Sequence, residues 1–199
     1  MPVKEGREYR SFALMQPVIE DEADGYIVEG YATTFDEPYD FMRDMKEVIK
    51  SEALDGADMS DVIFQLNHEG AVLARLRNNT MMLERDDHGL KVRADLGGSQ
   101  AGRDLHEAIK NGLIDRMSWG FTIAPGGWYY DETTRTSFIT KVEKVFDVSA
   151  VSIPANEGTE IHARSYIDGV IEAQEGQELA QRKATQDERA RIAAYLEII

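Results

Sequence analysis

The sequence predicts a mainly β protein of the α+β class, built on an antiparallel bent sheet or barrel. Three observations predict it. Short runs rich in aromatic and β-branched residues recur between residues 9 and 153. Most of them are separated by turn signals rather than by helical patterns. One stretch alone in that region has clear helical periodicity, so strands do not alternate regularly with helices and a doubly wound parallel sheet is disfavoured.

The elements follow in order. "YRSFALM" and "GYIVEGYATTF" read as strands, with the polar "EDEADG" as the turn between them. "DEPYDFMRDMKEVIKSEALDGA" is mixed, and its later part suits a short helix. "DVIFQLNH" has the apolar density of a buried strand. The segment "AVLARLRNNTMMLERDDHGLKVRADL" holds three strand-like pieces, broken at Asn78-Asn79 and at Asp86-Asp87-His88-Gly89. In "SQAGRDLHEAIKNGL", Leu105, Ala108, Ile109 and Leu113 form an apolar stripe at helical spacing. That spacing predicts a helix near residues 99–112, with Ser99 as N-cap and Gly112 as the stop signal. "MSWGFTI", "GWYYDETTRTSFITKVEKVFDVSAVSI" and "PANEGTEI" complete the β-rich body. From Tyr166 onward Glu, Gln, Ala and Arg dominate, which predicts a helical tail. The expected division is a body over residues 1–165 and an extension over 166–199. In the extension, Ile192, Tyr195 and Leu196 form one apolar face.

Composition narrows the function. The 199 residues carry 22 Lys+Arg against 37 Asp+Glu, a net charge of -15, which phosphate backbones repel. No nucleic-acid partner is expected. With no cysteine, thiolate nucleophiles, disulfides and thiolate zinc sites are excluded. No apolar run is long enough to span a bilayer, and "MPVKEGREYR" has no apolar signal core, so a soluble intracellular protein without a membrane partner is expected.

The residues that could carry chemistry are few. Four histidines are present: His68, His88, His106 and His162. His68 ends an apolar strand, a position suited to the rim of a pocket, whereas His88 lies in a polar turn and is expected to be exposed. Asp147 interrupts the apolar strand "KVFDVSAVSI", where strand alternation puts it on one face with Val145 and Ser149. A buried carboxylate needs a partner, either a histidine or one of the basic side chains. Ser118, in "RMSWG", lacks the first glycine of the G-x-S-x-G elbow, so the local pattern does not argue for an α/β-hydrolase. Its neighbours Met117 and Trp119 are expected to pack to opposite sides of it. Sequence physics alone does not choose Ser118 over Ser149 or Ser152.

"EGYATTF", "VIFQLNHEGAVLARL", "DDHGLKVRADL", "GRDLHEAIKNGLIDRMSWGF" and "DVSAVSIPANEG" together resemble the HK97-type phage prohead proteases, over roughly residues 25–162. The combination of NH, MSxGF and (E/D)VSxVxxPAN carries the resemblance. That family looks related in fold to the herpesvirus assemblins, whose core is a closed or nearly closed β-barrel ringed by helices. The resemblance implies His68 as general base, Ser118 as nucleophile and Asp147 as the third catalytic residue. Asp147 stands where the family usually has Glu, so its shorter reach must be recovered by backbone placement. The resemblance further implies an oxyanion hole from the backbone N–H groups of Ala155 and Asn156; Pro154 has no N–H to give.

The implied function is a serine endopeptidase of capsid maturation, acting inside the assembling prohead in the host cytoplasm. The implied partners are the major capsid protein with its scaffolding region, and the chain itself through autoprocessing or oligomerisation. No cofactor and no metal are expected. Two rivals stand beside it: a catalytically silent, protease-like scaffold protein that binds capsid subunits, and a metal-dependent hydrolase using His68, Glu69 and Asp residues. No close ligand spacing supports the latter.

Overall fold

A computed structural model describes residues 7–13, 25–42, 45–152 and 183. All of these except Lys183 belong to one compact unit, Met1–Gly158. The described part is mainly β, with twelve strands and one α-helix. The strands are β1 Glu8–Ala13, β2 Ile27–Thr34, β3 Tyr39–Met42, β4 Met45–Ile49, β5 Ile63–Leu66, β6 Glu69–Arg75, β7 Met81–Arg85, β8 Gly89–Asp95, β9 Arg116–Ile123, β10 Trp128–Asp131, β11 Thr136–Ile139 and β12 Val142–Val151. The helix, α1, spans Gln100–Lys110.

Hydrogen bonding groups these strands into three sheets, in the orders β1-β9-β12-β5-β6, β10-β11-β4-β3 and β2-β8-β7. Most neighbours are antiparallel, but β12 pairs with β5, and β11 with β4, in parallel. The expectation of an antiparallel sheet is corrected at those two pairs. Both join segments far apart in sequence, so no local turn signal could reveal their direction. Three open sheets, rather than one continuous barrel ladder, describe this part of the chain. One apolar cluster draws on all of them and on the helix. It includes Phe64, Trp119, Phe121 and Val148 from the first sheet, Ile49 and Ile139 from the second, Leu90 and Val92 from the third, and Leu105 and Ile109 from α1. Each such side chain contributes about 1.5–3 kcal/mol when fully buried.

The helix forms for the reasons its sequence offers. The Ser99 hydroxyl accepts from the Gly102 N–H at 3.0 Å, capping the first turn. At the other end Gly112 takes φ 69°, and the Leu113 and Gly112 N–H groups donate to the Ala108 and Ile109 carbonyls. That pairing is a Schellman stop. Leu105 and Ile109 are buried, whereas Leu113 is 75% exposed because the chain has already left the helix. "DEPYDFMRDMKEVIKSEALDGA" departs further from expectation. It forms β3 and β4, and its helical part is a single 3-10 turn, Ser51–Leu54.

Among the described residues, no helix is long and apolar enough to cross a membrane, and no group of three or more His, Cys, Asp or Glu side chains could hold a metal ion. Ala155, Asn156, His162 and the 166–199 extension apart from Lys183 lie outside the described residues.

Candidate active site

Three adjacent strands of the first sheet, β9, β12 and β5, carry the candidate residues. On β9, side chains alternate, and Met117, Trp119 and Phe121 enter the core. Met117 and Trp119 therefore do not flank Ser118. They share the face opposite to it and anchor the strand from beneath, while Ser118 and Gly120 face the other way.

The register with β12 sets the second residue. Ser149 lies opposite Ser118, and Asp147 opposite Gly120. Between Asp147 and Val145 the register shifts, and Val145 lies opposite Phe121 instead. This bulge breaks the alternation assumed from the sequence. Val145 joins Phe121 in the core, while Asp147 and Ser149 share the face of Ser118. Bulges that re-aim a side chain in this way are common beside functional sites.

His68 arrives from β5. The connection from Leu66 to Glu69 is only two residues long, Asn67 and His68, and both are left-handed, at φ 54° and 59°. A tight hairpin requires positive φ at both central positions, and Asn and His tolerate it better than most side chains. Such strain costs of order 1–3 kcal/mol per residue and persists only where neighbours enforce it. Here they do. The Asn67 N–H donates to the Ala150 carbonyl at 2.9 Å, and its side-chain oxygen accepts from the Ser152 N–H at 3.0 Å and the Ser152 hydroxyl at 3.2 Å. The His68 N–H donates to the Ser149 hydroxyl at 3.2 Å.

The structure thus brings His68, Ser118 and Asp147 together. His68 Nε2 lies 2.7 Å from Ser118 Oγ, and His68 Nδ1 lies 2.5 Å from Asp147 Oδ1. All three are buried, with Ser118 fully so. An ionised carboxylate only accepts, so Asp147 fixes the ring proton on Nδ1 and leaves the Nε2 lone pair toward the serine hydroxyl. The partner of Asp147 is the histidine, not a basic side chain. Its shorter reach is recovered by the bulge and by the bare backbone of Gly120, where a Cβ would lie 2.6 Å from Asp147 Oδ2.

Two further residues belong to this site: sequence reasoning weighed Ser149 only as a rival nucleophile and gave Tyr9 no role. Ser149 donates to Asp147 Oδ1 at 3.0 Å while accepting from the His68 backbone, so one hydroxyl ties the carboxylate to the turn that carries the imidazole. The i+2 spacing from Asp147 was its only sequence signal. Tyr9, from β1, makes an edge-on contact with the His68 ring, with centroids 4.4 Å apart. Burial pushes its phenol pKa up, and the Asp147 charge adds to the rise. The other described histidines are elsewhere. His88 is half-buried against Tyr31, not exposed as expected from its turn, because the Asp86 side chain folds that turn back by accepting from the His88 and Gly89 N–H groups. His106 is buried on α1 beside Tyr26.

The family model of caudovirus prohead serine proteases matches residues 15–170 of the 199. The chain belongs to that family. A curated relative, the prohead protease of Enterobacteria phage HK97, is 32% identical over 89 residues, which cover 44% of this chain. The matched stretch spans 39% of that relative's length. No solved structure matches the chain.

Proposed function

We propose that this chain is a serine endopeptidase of phage capsid maturation. It cleaves the scaffolding region of the major capsid protein, and itself, inside the assembling prohead in the host cytoplasm, by acyl-enzyme chemistry. The observation that carries the reading is the His68 imidazole, held between the Asp147 carboxylate and the Ser118 hydroxyl.

In the first step His68 Nε2 removes the Ser118 proton as Oγ attacks the scissile carbonyl. Asp147 stabilises the imidazolium that forms. The imidazolium then gives its proton to the leaving amine, and the acyl group stays on Ser118. A water activated by the same imidazole releases it. The oxyanion is met by the N–H groups of Ala155 and Asn156, each good donor contributing about 3–4 kcal/mol at the transition state. Residues 1–165 act as the protease domain, with a body of the assemblin type. Residues 166–199 act as a partner-binding extension that brings the enzyme into the shell and is removable.

Co-expression with the capsid protein of the same phage tests the reading. Mass spectrometry should find the capsid protein shortened by its scaffolding region with wild type, and full length with Ser118→Ala. Processing that persists in Ser118→Ala would remove the assignment. A capsid protein left whole by wild type, yet bound to it, would favour the silent scaffold protein instead.

A further inference from the structure

Strand β1 lies N-terminal to the stretch that matches the family, yet it reaches the candidate site. The sheet register makes this possible. Tyr9 lies opposite Gly120 on β9, and Gly120 lies opposite Asp147 on β12. The three positions form one row across the sheet, with side chains on one face. The middle one has no side chain. A Cβ at Gly120 would lie 2.6 Å from Asp147 Oδ2 and 2.8 Å from Tyr9 Cε1. The carboxylate and the phenol ring therefore close over the glycine from its two sides, and the ring continues onto the imidazole.

The strand that carries Tyr9 is fastened on either side of that residue. The Arg10 guanidinium, on the opposite face of β1, enters the interior, where Nε and Nη2 donate to the two Glu47 oxygens at 2.5 and 3.1 Å. The Phe41 ring packs against it, 4.3 Å from centroid to guanidinium. Arg7 lies over the Phe146 ring at 3.7 Å. Breaking a buried ion pair from one side leaves a stranded charge, so β1 does not lift away freely.

We infer that Tyr9 is a positioning residue for His68: its ring covers the Asp147–His68 pair, excludes water from it, and fixes the plane of the imidazole that meets Ser118. The active site of this chain is thus completed by an N-terminal strand outside the matched stretch. The inference rests on the reading of Ser118 as nucleophile.

The test uses the full-length protein as wild type, Tyr9→Phe, Tyr9→Leu and Tyr9→Ala, with Ser118→Ala as control and an alkyl fluorophosphonate as probe. Proton NMR in water follows the imidazole N–H held by the carboxylate, assigned by its loss in His68→Ala. Tyr9→Phe should label at the wild-type rate and keep the resonance. Tyr9→Ala should lower the maximal labelling rate about tenfold or more at unchanged half-saturation, up to the roughly 10²-fold that a 1 Å misplacement of a catalytic group can cost. Its N–H resonance should broaden into exchange with water. Should Tyr9→Ala not fold, Tyr9→Leu decides in the same terms, because it keeps apolar bulk without the ring. A Tyr9→Ala protein that keeps both rate and resonance overturns the inference, as does a Tyr9→Phe that fails as badly as Tyr9→Ala. If wild type does not label, or Ser118→Ala labels equally, the nucleophile reading fails, and the resonance alone still decides whether Tyr9 shields the pair.

Discussion

At the scale of single residues, the site depends on few atoms. Asp147→Asn keeps the shape but can hold the wrong imidazole tautomer, so the protein should fold normally and lose about 10³–10⁴-fold in kcat, as in comparable triads. Circular dichroism with peptide-cleavage kinetics checks both halves, and full activity would mean that another group orients His68. Ser149→Ala removes the hydroxyl shared by Asp147 and the His68 backbone. An orphaned buried N–H costs about 1–3 kcal/mol, so thermal stability should fall, and kcat should fall with KM unchanged. A drop in stability with kcat untouched would limit Ser149 to holding the turn. The physics of isolated residues could not rank Ser118 above Ser149 or Ser152. The role of Ser118 depends on His68, 50 positions away, and that of His68 on Asp147, 79 positions from it, which periodicity does not encode. Only the resemblance joined them.

At the scale of elements, local signals were readable where the structure is local. The α1 helix has its cap, its apolar pair and its glycine stop in the sequence, and it forms between them. Strands β3 and β4 were missed because neither alternates cleanly, and β4 buries a charge, Glu47, which is paired with Arg10. The bulge in β12 was invisible for a related reason. Alternation predicts a face only while the ladder is regular, and one extra residue moves Val145 into the core. The hairpin carrying His68 yields the sharpest prediction at this scale. Asn67→Gly tolerates left-handed backbone as well as Asn does but loses the tether to Ser152. It should fold with a nearly unchanged melting temperature and cleave more slowly. Asn67→Ala should also melt earlier, because a left-handed Ala is strained by about 1 kcal/mol or more. Equal melting temperatures in the two variants would contradict the strained-turn account.

At the scale of the whole molecule, charge shapes the response to pH. Hydrogen bonds from Lys50, Lys144, Arg75, Tyr31 and Arg93 hold Asp36, Asp58, Asp61, Asp86 and Glu29 below the usual carboxylate range. Folded values below unfolded ones mean that this stability is present above the unfolded pKa of about 4 and is lost as pH falls through the folded values. Each pair is exposed or half-buried, so each loss is small. At the alkaline end, burial raises the phenols of Tyr39 and Tyr9, and the bond to Asp86 raises Tyr31. That contribution is complete below the unfolded pKa of about 10 and disappears as pH rises through the folded values. Melting temperature should therefore be flat between those limits and fall beyond each. A maximum centred on the isoelectric point would contradict this. The central claim, that Ser118 is the nucleophile and His68 its base, is tested most directly by peptide mapping after alkyl fluorophosphonate treatment. The adduct should lie on Ser118 in wild type and be nearly absent in His68→Ala. An adduct on Ser149 or Ser152, or equal labelling of Ser118 without His68, would contradict it.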